Sequence, residues 1–163
     1  MPHRFAIIGL GQFGARLATN LAAMGCEVIA IDKNRDRVEA IRDRVTLAVS
    51  MDASDEEAIK AQGIDKVDVA VVGIGDGFEP VVLATTVLKE LGVERVISRA
   101  MSPTQADILK RIGADEIVAP EDESADRWAA RLYSPFFLTQ LALDDRHSIV
   151  EVPTPGDWVG KSL

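Results

Sequence analysis

The sequence predicts a doubly wound α/β fold, a six-stranded parallel sheet with helices on both faces. Three observations predict it. Short β-rich runs begin near Phe5, Glu27, Thr46, Val69, Val96 and Glu116, 19 to 27 residues apart, and a helical pattern fills each gap, as βα units require. The runs FAIIGL, EVIAID and VDVAVVGIG are almost unbroken apolar stretches, the mark of strands covered on both faces. Cap and turn residues punctuate the gaps where helices should start and stop.

Taken in order, the first strand runs into Gly9-Leu10-Gly11-Gln12-Phe13-Gly14, and the next helix places Phe13, Leu17, Leu21 and Met24 on one face. The second strand ends at Asp32, and Val38, Ile41 and Val45 repeat the helical spacing after it. Ser54 with Glu57 and Ser102 with Gln105 read as capping boxes, while Pro80 and Pro103 sit at first-turn positions. Gly25, Gly63, Gly92 and Gly113 each follow a helix, where a C-terminal glycine belongs. Beyond the sixth strand, Asp122 to Leu143 reads as one long amphipathic element interrupted at Ser134-Pro135. Its Trp128, Leu132, Phe136, Phe137, Leu141 and Leu143 carry more apolar surface than the outside of a monomeric sheet domain covers, and such a patch marks a partner. The tail HSIVEVPTPGDWVGKSL alternates like a strand and turns at its prolines. It is too short for a core of its own, so it either docks elsewhere or stops at a domain boundary. The expected organisation is a sheet domain over residues 1–121, a helical element over 122–145, and a tail or the start of a further lobe over 146–163.

Composition excludes several functions. The net charge of −8, from 26 acidic against 18 basic residues, argues against a nucleic-acid partner, whose phosphates are bound by Lys and Arg. The longest apolar run, Val67 to Gly75, contains Asp68 and is far shorter than the roughly 20 residues a bilayer span needs. The N-terminus lacks a signal-peptide pattern, and the lone Cys26 allows neither an intrachain disulfide nor a multi-cysteine metal site. Cytoplasmic residence is the expectation.

The glycine loop carries the chemistry. Backbone N–H groups and the positive end of the helix starting near Gln12 would hold a phosphate. Gly9 makes the tight turn, Gly11 lets a ligand approach, and Gly14 lets the helix pack on the sheet. Asp32 lies 21 positions beyond Gly11, close to the roughly 20 that a Rossmann-type fingerprint requires. Its oxygens would accept both hydroxyls of an adenosine ribose and repel a 2′-phosphate, favouring NAD or an adenine nucleotide over NADP; Lys33 weakens that preference. The other strand ends complete the pocket, since ligands bind at the carboxyl edge of such sheets. Asp52-Ala53, Ile74-Gly75-Asp76, Arg99 and Glu121 lie there. Asp52 would either accept from an adenine amino group or cap the next helix. Arg99 would either fork onto a terminal phosphate or pair with a neighbouring acid. Glu121 would either hold a divalent cation or open the long helix.

Catalytic signals are missing. A short-chain dehydrogenase needs a Lys four residues after its Tyr, and the only tyrosine, Tyr133, has Phe137 there. His3 and His147 read as surface residues, and no nucleophile motif such as G-x-S-x-G occurs. A nucleotide pocket without a reaction favours sensing; the alternative is the NAD-binding domain of an oxidoreductase lacking its substrate domain.

These segments together resemble the RCK, or TrkA-N, domain, the cytoplasmic nucleotide-sensing module of potassium channels and Trk/Ktr transporters. The resemblance is carried by FAIIGLGQFGARLATNLAAMGCEVIAID, DASDEEAIKAQGI, DVAVVGIG, KELGVERVISRA and above all ILKRIGADEIVAPE with the aromatic-rich helix after it. It implies a regulatory, non-enzymatic subunit whose C-terminal crossover helix joins two copies. Dimers would assemble into a ring, often octameric, beneath a membrane pore, leaving the chain peripheral to the membrane. The first strand opens almost at Met1, so the chain is expected to be a separate subunit. The tail resembles the opening of the family's C-terminal lobe. The resemblance also implies that Gly9, Gly11 and Gly14 hold phosphates and Asp32 a ribose, with Asp52-Ala53 at the base. Arg99 would lie near the terminal phosphates, and Glu121 would match an acid that binds a cation. Gln12 replaces an arginine found in many transporter-associated members, leaving ATP, ADP, AMP and NAD(H) as candidate ligands. In the mechanism this implies, a γ-phosphate acts through Arg99 and a cation at Glu121 to favour one ring state.

Overall fold

The computed structural model describes residues 3–133, 139–142, 147–151, 154 and 156–160. The chain divides into two compact units, Met1–Pro120 and Glu121–Leu163.

The first unit is the expected doubly wound sheet. Its parallel strands are β1 (Arg4–Ile8), β2 (Glu27–Asp32), β3 (Leu47–Ser50), β4 (Val69–Val72), β5 (Arg95–Arg99) and β6 (Glu116–Val118), in spatial order β3-β2-β1-β4-β5-β6. The helices between them are α1 (Gln12–Ala23), α2 (Arg35–Ile41), α3 (Glu56–Ala61), α4 (Glu79–Glu90) and α5 (Pro103–Arg111). Alternate residues of one strand serve opposite faces, because successive side chains of a strand point to opposite sides. Ile7 joins Val28, Ala30 and Val71 under Ala18 of α1 and Val38 and Ile41 of α2. Ala6 and Ile8 join Ile29, Ile31 and Val72 against Ile59 of α3, Leu88 of α4 and Leu109 of α5. The order reverses between β1 and β4, so the carboxyl ends of these strands open a crevice suited to a ligand.

Local signals differ from the sequence reading in three places. Phe13, Leu17 and Leu21 pack against the core, but Met24 is 79% exposed because α1 ends at Ala23. Ser102 does cap α5, accepting from Gln105 N–H, while the Gln105 side chain accepts from Met101 N–H instead of the cap residue. The cap of α3 is Asp55, whose carboxylate accepts from Ala58 N–H; Ser54 is drawn off by Asp52. A carboxylate one residue nearer the helix is the better acceptor for its first turn.

Asp115, in the IGAD segment, ties three elements together. Its Oδ2 accepts from Val96 N–H of β5 at 2.7 Å and pairs with Lys89 Nζ of α4 at 2.9 Å. These contacts, the Val96 N–H first and Lys89 second, hold its pKa below the ordinary carboxylate value.

In the second unit, α6 (Pro120–Tyr133) gives way to an antiparallel pair, β7 (Thr139–Ala142) with β8 (Ser148–Glu151). The single amphipathic element expected to reach Leu143 therefore ends as a helix at Tyr133. The interruption expected at Ser134-Pro135 lies outside the described residues; farther on, Gln140 and Leu141 pair with Val150 and Ile149. Phe136, Phe137 and Leu143 lie outside the described residues. Among the described residues, no helix is long and apolar enough to cross a membrane.

The tightest packing joins β1 to α1. A β-carbon on Gly14 would lie 1.9 Å from the Gly9 carbonyl oxygen, whereas one on Gly11 would meet nothing within 4 Å. Gly14→Ala is therefore expected to cost about 3 kcal/mol or more by forced backbone shifts, and Gly11→Ala less than about 1 kcal/mol. Urea unfolding midpoints of the two variants check the difference.

Candidate functional site

Three loops meet at the carboxyl edge of the sheet. After β1 the chain turns at Gly9, whose φ is +89° and whose N–H donates to Ile31 O at 2.8 Å. A β-carbon on Gly9 would sit 2.7 Å from Ile74 N, so the β1 and β4 loops touch backbone to backbone. Gly11 is the N-cap of α1, with no side-chain cap and no acidic residue in the first turn. The amide donors and the positive dipole end of that helix therefore face outward without a built-in anion.

Asp32 ends β2 and is only 8% exposed. Oδ2 accepts from Leu10 N–H at 2.6 Å and Oδ1 from Asn34 N–H at 2.7 Å. A carboxylate has about four acceptor positions, so two remain for a sugar's hydroxyls while the other two hold the glycine loop and the start of α2. Asp52, after β3, spends Oδ1 on Ser54 N–H and hydroxyl at 2.9 and 2.7 Å and pairs Oδ2 with Lys33 Nζ at 2.9 Å. The Ser54 N–H first, and Lys33 second, lower its pKa from 3.8 to about 2. It caps no helix.

A cavity of about 270 Å³ lies among these groups, near the small end of the ~300–1,000 Å³ typical of ligand pockets. Of the residues singled out from sequence, Gly9, Gly11, Asp32, Lys33, Asp52, Ala53, Ile74, Gly75 and Asp76 line it. Leu10, Gln12, Phe13, Gly14, Arg99 and Glu121 do not. Leu10 is buried, contributing its N–H to Asp32, and Gln12 opens α1 with an exposed side chain. Phe13 packs on the core and Gly14 on Gly9. Arg99 stands behind Gly75, its Nη1 2.9 Å from where a β-carbon there would be. Glu121 belongs to α6 and the second unit. Among the described residues, no group of three or more His, Cys, Asp or Glu side chains gathers where an ion could be held.

Sequence reasoning missed Arg37, which also lines the cavity and pairs with Asp76 at 3.4 Å. Nothing local marks it, since a cation in a helix's first turn reads as solvated surface. Ile31, Met51, Ile74 and Pro80 supply apolar wall. An apolar slot, a buried carboxylate with free acceptor positions and an uncapped helix N-terminus fit a nucleotide: base, sugar and phosphate each meet matching chemistry.

Replacing Asp32 by Asn would turn an amide NH₂ toward a buried backbone donor. Asp32→Asn is expected to destabilise the fold by about 1–3 kcal/mol through that unsatisfied pair, read by chemical denaturation. Asp52 has a lower pKa folded than unfolded, so its stabilisation is complete above the unfolded value of 3.8 and disappears as pH falls toward about 2. The stability gap between the parent and Asp52→Asn should accordingly close across that acid range.

The comparisons agree on a family. The TrkA-N domain model matches residues 5–120. The Ktr system potassium uptake protein C of Bacillus subtilis is 36% identical over 163 residues, covering all of this chain and 74% of its own length. A structure of the NAD(P)-binding domain of an exopolyphosphatase-related protein from Archaeoglobus fulgidus superposes with a TM-score of 0.71 at 23% identity, over 80% of this chain and 98% of that one. GsuK bound to ADP superposes with a TM-score of 0.67 at 24% identity, over 80% of this chain and 34% of that one. On the strength of the span matched and the identity to a full-length relative, the chain belongs to the TrkA-N (RCK) domain family.

Proposed function

We propose that this chain is a ligand-sensing regulatory subunit, not an enzyme, which binds an adenine nucleotide or NAD(H) and gates a potassium channel or transporter from the cytoplasmic side of the membrane. The observation that carries the ligand is Asp32, held beside the uncapped start of α1 with acceptor positions to spare. The small cavity encloses the nucleoside end, and the phosphates extend over the glycine loop. The potassium-transport setting is supported by the likeness to the Ktr protein of Bacillus subtilis, and nucleotide binding by the likeness to the ADP-bound GsuK fold.

Assembly follows from α6, where Trp128, Leu132 and Tyr133 are 52%, 74% and 93% exposed. An apolar face of this kind needs a cover, and a second copy of the helix provides one. Homodimers built this way stack into the ring that acts on the pore. Binding energy shifts the ring only by the difference in affinity between its two states.

Calorimetric titration with AMP, ADP, ATP, NAD⁺ and NADH is expected to give saturable heat for at least one of them, with a matching rise in Tm. Asp32→Ala should weaken that ligand about 100-fold, since two hydrogen bonds to a charged group are lost. Silence with all five ligands would falsify the reading. Steady NADH consumption would instead favour the oxidoreductase alternative.

A further inference from the structure

Arg37 stands in the first turn of α2, its backbone N–H held by the Asn34 cap at 3.3 Å. Its guanidinium reaches across the mouth of the cavity: Nη1 lies 3.6 Å from Asp32 Oδ2, and Nη2 lies 3.4 Å from Asp76 Oδ2. Asp32 ends β2 and Asp76 follows β4, the two strands that flank β1 in the sheet. One side chain therefore spans the point where the strand order reverses.

Both pairings are long compared with the ~2.7–2.9 Å of a strong charge-assisted bond, and 43% of the side chain is exposed. The fork is thus poised, not locked. It lies beside the carboxylate proposed to take the sugar, and Ile74 and Met51 contribute apolar wall to the same cavity. A planar base in that slot exposes an aromatic face or edge to the mouth, and a flat, weakly hydrated guanidinium stacks on such surfaces where an ammonium does not.

We infer that Arg37 is a ligand-contacting residue that closes over the nucleoside end of the bound nucleotide, with Asp76 holding it in position; this rests on the nucleotide-binding reading above. Ribose hydroxyls take the place of Arg37 on Asp32, and the guanidinium, still tethered by Asp76, settles on the base.

The test is calorimetry with adenosine, AMP and ADP on the parent, Arg37→Ala, Arg37→Lys and Asp76→Asn at one salt concentration. Arg37→Ala should weaken all three ligands by a similar factor, roughly tenfold. Arg37→Lys should recover only part of this, and Asp76→Asn should lose less than Arg37→Ala. The Tm of each unliganded variant should stay within about 2 °C of the parent, because exposed ion pairs add little to stability. Unchanged affinity in Arg37→Ala overturns the inference. A loss that grows from adenosine to ADP also overturns it, by making Arg37 a phosphate ligand. If the parent binds none of the three, this inference fails, and the nucleotide reading fails with it only if ATP, NAD⁺ and NADH are silent too; binding of any of these keeps the two failures apart.

Discussion

The carbonyl oxygen of Gly9 occupies the space where a side chain on residue 14 would begin, 1.9 Å from its ideal β-carbon. That contact brings the first turn of α1 against the end of β1, which in turn points the helix's free amides at the crevice. Gly9 itself is wedged against Ile74 of the β4 loop. Two glycines thus decide how closely three loops converge, and the cavity is the space left between them. Any larger residue at position 14 would lift the helix away from the end of β1.

Asp32 fixes the loop from the other side. A buried carboxylate is tolerated when hydrogen bonds replace the water it has lost, and here the Leu10 and Asn34 amides do so. The same side chain therefore holds the glycine loop and lines the cavity at once. Around the cavity, Asp32, Asp52 and Asp76 face Lys33 and Arg37, so side chains alone present a negative surplus. Positive potential comes instead from backbone: the amides and dipole of α1, which carry partial positive charge without a counterion. Under the proposed function, side chains would recognise sugar and base and the main chain the phosphate.

The second unit follows different physics. The sheet domain buries its apolar residues on both faces, whereas α6 leaves Trp128, Leu132 and Tyr133 in solvent, with the Arg131 guanidinium 5.1 Å from the Trp128 ring.

Much of this was legible in the order of residues. Apolar runs of strand length separated by helical periods predict the parallel sheet, because hydrophobic period and chain punctuation are local properties. Gly9, Gly11, Gly14 and Asp32 were readable because their spacing is set by one turn and one βα unit. Other features were decided only by tertiary structure. Asp55 displaced Ser54 as a helix cap through competition between neighbours, and residues 139–142 of the expected helical element pair as a strand instead. Arg37 and Asp76 are 39 residues apart and meet because β2 and β4 flank the same strand. Pairing across such a distance depends on sheet order, which no local pattern encodes. Hence the sequence alone determined the sheet and the glycine turn at its edge, while folding chose which charges meet at the cavity.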